Sequence, residues 1–436
     1  MITSISHLSH KVFKKFFGEN FSKEGFSVYS KNIQWVGISK LLTMVFSLLT
    51  TMIVARILGP ESFGVLNYVL SIIGLFSIIA SLGVSAVTYK EMVSHKENRE
   101  EILGSSIALT MSTGIIAICL VFIVLFFMQE TMYIKGLILL MSLSFITQPL
   151  SLISIDFLKD GKSKYATITQ VSTSIISSIL KITTIFLSSS LSLFIAVLII
   201  ENVIAGCIYI YQIKVIKKWS FSLTVSKKQI LFILSSSIPM MLMIGFTEIY
   251  ARIDQIMLRH YLDVEAVGLY SAAVRLTEVW YFLPNILITA LFPALVNASN
   301  SAKIEYNKRF NFLLVILTLA SIIISVITFI WSDKIIAIIY GSGFAHASPI
   351  LAVYIFSLFG SFISMILLQD LFLNNRKWLI ILLPASTAIL NIVLNVYLIP
   401  LKSAVGAAIA TVISYNLIPL LYYIFRNSSV GSTIKK

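Results

Sequence analysis

Long unbroken apolar runs decide what this chain can become. Gly114–Met128, Leu313–Trp331 and Trp378–Ile399 contain scarcely a charge, and runs of that length read as membrane helices. Inside a bilayer only helices and closed barrels satisfy every backbone hydrogen bond. Continuous runs, without the alternation of a barrel strand, select helices. Composition agrees: 58% of residues are hydrophobic and 12% charged, with a mean hydropathy of +0.94. One globular core cannot bury that much apolar surface in 436 residues. The reading is therefore an all-α integral membrane protein.

A search for roughly 20-residue apolar spans gives twelve, near 33–55, 62–88, 104–127, 132–155, 165–187, 191–212, 229–257, 266–294, 309–331, 347–372, 378–399 and 404–425. Connections between them are short and hide no further domain. This divides the chain into a cytoplasmic amphipathic segment (1–32), a six-helix bundle (33–216), a basic linker (217–228), a second six-helix bundle (229–425) and a cytoplasmic tail (426–436). The first thirty residues are basic and aromatic, with no apolar core before a cleavage site, so the first span is expected to stay in the mature protein. The segment carrying Lys11, Lys14, Lys15 and Lys23 with Phe13, Phe16, Phe17 and Phe21 reads as a helix lying on the anionic inner surface, or else as a disordered tail.

Lys and Arg set the orientation. With the N-terminus inside, cytoplasmic segments hold 24 of the 33 basic residues, and the opposite side only Arg56, Lys135, Arg259, Lys334 and Lys402. That asymmetry makes both termini cytoplasmic. The net charge of +14 is accordingly a feature of topology, and no nucleic-acid partner is implied.

Two stretches repeat. Leu58-Gly-Pro-Glu61-Ser-Phe-Gly64 and Leu262-Asp-Val-Glu265-Ala-Val-Gly268 both read L-x-x-E-x-x-G, 204 residues apart. Phe157-Leu158 and Phe372-Leu373 match more loosely at an offset of 215. An even number of spans per repeat predicts two bundles of like orientation, related by a pseudo-twofold axis along the membrane normal, with substrate bound between them.

Charges within spans are costly and by default functional. Span 5 carries Ser163, Thr167, Gln170, Ser174, Ser177, Lys181, Thr184 and Ser188 at alternating spacings of four and three, one continuous face. A cavity wall accounts for that stripe. Helix–helix contacts through small hydroxyls account for the Ser and Thr but not for Lys181. Glu201 of span 6 lies at a matching depth and is a candidate partner for Lys181. In span 7, Glu248, Arg252, Gln255 and Arg259 share a face, with Glu248 and Arg252 spaced for an i,i+4 pair. Asp254 points almost the opposite way, and Arg275 of span 8 is the obvious partner, in an Asp–Arg lock. Arg275 also stands three residues before Glu278. Asn67, Ser71, Ser81 and Ser85 of span 2, and Thr387, Asn391 and Asn395 of span 11, could bond hydroxyl groups of a cargo or neighbouring helices. Pro149, Pro239, Pro284 and Pro384 mark candidate kinks.

Catalytic patterns are missing from the sequence. There is no P-loop, the five histidines are scattered, and Cys119 and Cys207 lack ligand spacing, so no enzyme, cofactor or metal is expected. A membrane polymerase or ligase would need a larger external loop than the ~15 residues the spans leave.

The motif residues carry a resemblance. Ala55-Arg-Ile-Leu-Gly-Pro-Glu-Ser-Phe-Gly-Val-Leu-Asn-Tyr68, and Arg252-Ile-Asp-Gln-Ile-Met-Leu-Arg259 followed by Val264-Glu-Ala-Val-Gly-Leu-Tyr-Ser-Ala-Ala273, resemble the span 1–2 and 7–8 signatures of bacterial polysaccharide biosynthesis (Wzx-type, O-antigen) flippases. These belong to the multidrug/oligosaccharidyl-lipid/polysaccharide (MOP) exporter superfamily, as do the MATE drug exporters. The resemblance implies a V-shaped, MATE-like pair of bundles in the bacterial inner membrane that works by alternating access. It implies an undecaprenyl-diphosphate-linked oligosaccharide of lipopolysaccharide or another surface polymer as cargo, and polymerase machinery as a partner. For a diphosphate cargo, Arg252, Arg275 and Lys181, with Lys40 toward the cytoplasm and Arg56 at the outer rim, form the expected cationic path. Asp254, Glu201, Glu278 and Glu248 are then pair partners or sites for a coupling H⁺ or Na⁺. An ion-coupled drug/cation antiporter is the alternative, in which those acids bind cargo. A peptidoglycan-precursor flippase is disfavoured because that family usually has fourteen spans.

Overall fold

The computed structural model describes residues 23–95, 98–188, 190–216, 223–301, 303–374 and 376–427, and side chains from Leu42 onward apart from scattered positions. Most of the expected amphipathic N-terminal segment, Lys11 and Phe13 among it, lies outside the described residues. So do part of the basic linker, the end of the tail and the side chain of Lys40.

Among the described residues the chain is helical throughout. The first repeat comprises α1 (Lys23–Ser81), α2 (Val84–Ser94), α3 (Arg99–Phe127), α4 (Met132–Ser142, prolonged by short turns to Lys159), α5 (Ser163–Ser188) and α6 (Leu191–Ile216). The second comprises α7 (Lys227–Tyr261), α8 (Val264–Glu278), α9 (Phe282–Ser301), α10 (Lys303–Ile339), α11 (Ser348–Tyr354), α12 (Ser357–Leu373) and α13 (Lys377–Asn427). By length and hydropathy eight helices among the described residues can cross a membrane, or nine when the pair bent by 49° before Ser357 counts as one. The shortfall from twelve has identifiable sources. Two of these long helices are pairs run together across a break, at Gly59 in α1 and at Ser403 in α13. The α8–α9 stretch is interrupted by a 3₁₀ turn over Val279–Tyr281.

Lipid explains the surface. Phe126, Leu187 and Leu401 are each more than three-quarters exposed, which only an apolar solvent tolerates at this frequency. The largest apolar core runs across both repeats, joining Val54, Phe63 and Val69 of α1 to Val267 and Tyr270 of α8 and to Tyr340 and Phe344.

The turns between the first two and the seventh and eighth spans lie together, on the side we call distal; the side of Lys23 and Asn427 is proximal. Each turn is made differently at equivalent positions. Gly59 has φ 72° and ψ 171°, a region that excludes other residues. Asp263, 204 positions later, instead caps α8, its Oδ1 accepting from the Ala266 N–H at 2.8 Å. An alanine Cβ at Gly59 would meet no atom within 4 Å, so Gly59→Ala costs backbone strain alone. We expect about 1–3 kcal/mol lost, read as a lower midpoint of thermal unfolding in detergent.

Of the four candidate proline kinks, Pro149 lies in the 3₁₀ turn Gln148–Ser154 and Pro284 directly follows the turn between α8 and α9. Pro239 and Pro384 sit inside α7 and α13 without non-helical dihedrals at either position. Proline alone therefore did not dictate the breaks.

Candidate functional site at the bundle interface

The two L-x-x-E-x-x-G motifs pack on each other. A Cβ on Gly64 would fall 1.7 Å from the Val264 carbonyl oxygen and 2.9 Å from the Gly268 nitrogen. A Cβ on Gly268 would fall 1.9 Å from the Pro60 carbonyl oxygen and 3.0 Å from the Gly64 nitrogen. Position 60 is the equivalent of 264, so the contact is reciprocal, as a twofold axis between the repeats requires. Glycine is needed because backbone meets backbone.

More ties close the same distal face. Arg259 donates from Nε and Nη2 to the two oxygens of Glu130, both at 2.9 Å, a bidentate pair between the bundles. Arg56 donates to the carbonyls of Ile338 and Ile339 at the end of α10. Phe63 packs against Tyr340 and Phe344, with centroids 6.4 and 6.0 Å away. Arg56 is thus a tie across the rim, and it does not line the central cavity.

Toward the membrane centre a cavity of about 180 Å³ opens between the bundles. Its wall comes from the first bundle, with Thr50, Thr51, Asn67, Ser174, Lys181 and Glu201 among the lining groups, and one residue reaches in from the second, Arg275. Lys181 donates to Glu201 Oε2 at 2.7 Å, and Ser177 to the same oxygen at 2.6 Å. Arg275 lies 3.6 Å from Glu278, which is not part of the wall. The lining therefore carries two cations against one carboxylate. Arg275 is the repeat equivalent of Ser71, and Ser71 crosses the interface the other way, donating to Gln255 at 2.6 Å. Thr51, the equivalent of Gln255, lines the cavity that Arg275 enters.

The α7 face is shared as its periodicity predicts, and it is turned to the first bundle. Arg252 pairs with Glu248 at 2.9 Å, and a Cβ on Gly74 would meet its Cδ at 2.4 Å. Gln255 meets Ser71, and Arg259 meets Glu130. The α5 stripe divides. Ser174 and Lys181 face the cavity, joined by Ser178, which the stripe omitted. Thr184 and Ser188 bond carbonyls of their own helix, and Gln170 is exposed.

The expected Asp254–Arg275 lock is absent. Asp254 is 2% exposed and accepts from Tyr270 Oη, Asn395 Nδ2 and, at 2.6 Å, Thr411 Oγ1. Asn395 also donates to Asn391 at 3.0 Å. Arg275, on the neighbouring helix, turns outward to the other bundle. Thr387, Asn391 and Asn395 are fully buried inside the second bundle, which removes them as sugar contacts. Ser81 and Ser85 line a separate cavity of about 30 Å³. Among the described residues no three metal-ligating side chains converge.

Two helical bundles sealed at one end, with charged groups at their interface, define the class: this is a membrane transporter fold. The family described as "Polysaccharide biosynthesis protein" matches residues 29–299, more than half of the chain, and the chain belongs to that family. Over 189 residues it is 26% identical to "Probable low-salt glycan biosynthesis flippase Agl15" of Haloferax volcanii, covering 42% of this chain and 39% of that protein. The chain thus spans well under half the length of the curated relative it matches. Among solved structures it is similar to an inward-facing multidrug resistance MATE family transporter of the MOP superfamily (TM-score 0.71, 13% identity, 90% of this chain and 96% of that one). It is also similar to the lipid II flippase MurJ in an inward closed conformation (TM-score 0.69, 20% identity, 89% and 86%). A third is a MOP superfamily transporter of Pyrococcus furiosus with reversed polarity of its binding pocket (TM-score 0.68, 14% identity, 96% and 100%). The proteins it resembles are transporters and flippases rather than enzymes, and these likenesses establish a MATE-like, two-bundle fold.

Proposed function

We propose that this chain is a flippase for an undecaprenyl-diphosphate-linked oligosaccharide of a surface polysaccharide, acting in a bacterial inner membrane with both termini cytoplasmic. The distal face is then the external one, and the sealed distal contacts make this the conformation that loads from the cytoplasm. The observation that carries the reading is Arg275, a cation of one bundle set into a cavity built by the other. An anion bound there touches both bundles at once. Lys181 supplies the second charge when the anion displaces Glu201 from it, and Arg252 lies beside the route, held by Glu248. A diphosphate in a low-dielectric site needs such compensation, and arginine offers it bidentately. At about 180 Å³ the cavity is below the ~300–1,000 Å³ of ordinary ligand sites. It suits the linkage group, while the sugars require the bundles to part. Asp254, buried and surrounded by neutral donors, is the residue we assign to a coupling H⁺ or Na⁺.

The test is transport of a lipid-linked oligosaccharide into vesicles holding purified protein. Arg275→Gln is expected to lower the rate by about tenfold or more, the loss of one charge-assisted contact, with Arg275→Lys intermediate. Wild-type rates for Arg275→Gln at equal protein content would remove the anion site. Deleting the gene separates this reading from the antiporter. Loss of surface polymer with trapped lipid-linked intermediates supports the flippase, whereas normal polymer with new sensitivity to cationic drugs supports drug export.

A further inference from the structure

A second and larger cavity, of about 610 Å³, opens on the proximal side between the bundles. Its walls come from α2, the first half of α7 and the α12–α13 region, and they are almost wholly apolar: Val87, Tyr89, Phe232, Met240, Met243 and Phe372 are representative. Among the described residues Lys90 is the one cation lining it. The carboxylate beside Lys90, that of Glu91, is engaged with His95 at 3.2 Å.

The inner end of this cleft is made by helix irregularities that face each other. The helix of span 2 breaks at Leu82 and Gly83, with φ 48° and 69°, and α2 restarts at Val84. A Cβ on Gly83 would lie 3.1 Å from Met240 Cγ and 3.2 Å from the Met241 nitrogen. Pro239, adjoining that contact, removes a backbone donor from α7. The two helices therefore touch at a point where neither has its full ladder, and Met240 belongs both to that contact and to the cleft wall. Methionine suits a wall that must fit flexible apolar matter.

From this geometry we infer that the cleft binds the prenyl chain of the lipid-linked cargo, with Lys90 facing its phosphates before they pass to Arg275. The inference rests on the flippase reading for the identity of the chain. The physical reasons are the apolar lining, the volume, the Lys90 cation in its wall and the position on the loading side. A bulk phospholipid would gain the same apolar burial but, if zwitterionic, nothing from Lys90.

Photo-crosslinking tests this. The full chain, with benzoylphenylalanine at Tyr89 or at Phe232, is placed in phosphatidylcholine vesicles containing a sugar-free polyprenyl diphosphate and irradiated. Adducts with the diphosphate are expected at both positions, about fivefold above those at Phe126, a lipid-facing control. Lys90→Gln should lower them about threefold, the scale of one partly exposed charge pair, and leave adducts of an uncharged polyprenol unchanged. Equal yields at Phe126, adducts with phosphatidylcholine alone, or adducts with the chain's own residues 1–22 would each overturn the assignment. Because the probe has no sugar, the two readings fail separately. Adducts in a protein that moves no glycan leave the cleft and remove the cargo, while transport without adducts does the reverse.

Discussion

Gly268→Ala is expected to abolish transport while leaving a folded protein held open on its distal side. The added Cβ would sit 1.9 Å from the Pro60 carbonyl oxygen and 3.0 Å from the Gly64 nitrogen. Both are backbone atoms anchored in helices, so neither can rotate aside as a side chain would. The bundles themselves must separate at this point. Against that stand the Arg259–Glu130 pair, the two Arg56 contacts and the Phe63 ring contacts, of which the polar ones are worth about 1–3 kcal/mol each. An overlap of this depth with backbone exceeds any one of them. Inverting a 1:99 population takes about 5.5 kcal/mol, which is the scale at issue. Gly64→Ala should do the same, since the contact is reciprocal. The measurement is the reaction of a cysteine at Thr51 with an impermeant thiol reagent added from the distal side, Cys119 and Cys207 having been replaced. Faster labelling with lost transport is the expected result. Unchanged labelling together with wild-type transport would show that the glycine crossing is not a gate.

That crossing also shows where the sequence was legible. The repeat of L-x-x-E-x-x-G was visible at an offset of 204, and so was the like orientation it demands. What it could not convey is that the two glycines touch, because a motif specifies a backbone shape and not its neighbour. The α7 face behaves similarly. Periodicity correctly grouped Glu248, Arg252, Gln255 and Arg259 and set Asp254 apart from Arg252. Partner choice failed for Asp254, because azimuth on one helix leaves open which of several surrounding helices supplies the contact. Tyr270 and Thr411 are 16 and 157 residues away, and neither carries a charge that would advertise it. Glu130 was missed for a related reason. It stands in the short connection after α3, 129 residues from Arg259, with nothing in its own surroundings to mark it. The Lys181–Glu201 pair was found because two charges at equal depth in adjacent spans have few alternatives in a bilayer.

The second large effect is expected at Asp254. Its hydrogen-bond partners Tyr270, Thr411 and Asn395 are neutral, and it is 2% exposed. A carboxylate in such a place is costly unless a cation or a proton joins it, which is the ground for the coupling role proposed for it. Replacement must separate charge from packing. Asp254→Asn keeps the shape, and the amide of Asn395 can turn its oxygen toward the new N–H, so the protein should still fold. Its transport should fall about tenfold or more and lose its response to the driving gradient. Asp254→Leu differs in kind. Tyr270 and Thr411 keep each other and the Ala407 carbonyl, but one N–H of Asn395 loses its acceptor inside the bundle, at about 1–3 kcal/mol. A branched apolar group is also forced among polar ones, so it should express poorly. Transport is then measured with Na⁺ varied at constant pH and with pH varied at constant Na⁺. Whichever gradient ceases to matter in Asp254→Asn identifies the ion. Should Asp254→Asn move cargo at the wild-type rate under both, the buried cluster is a structural tie among α7, α8 and α13, and coupling must be sought at the Lys181–Glu201 pair, whose carboxylate lines the cavity.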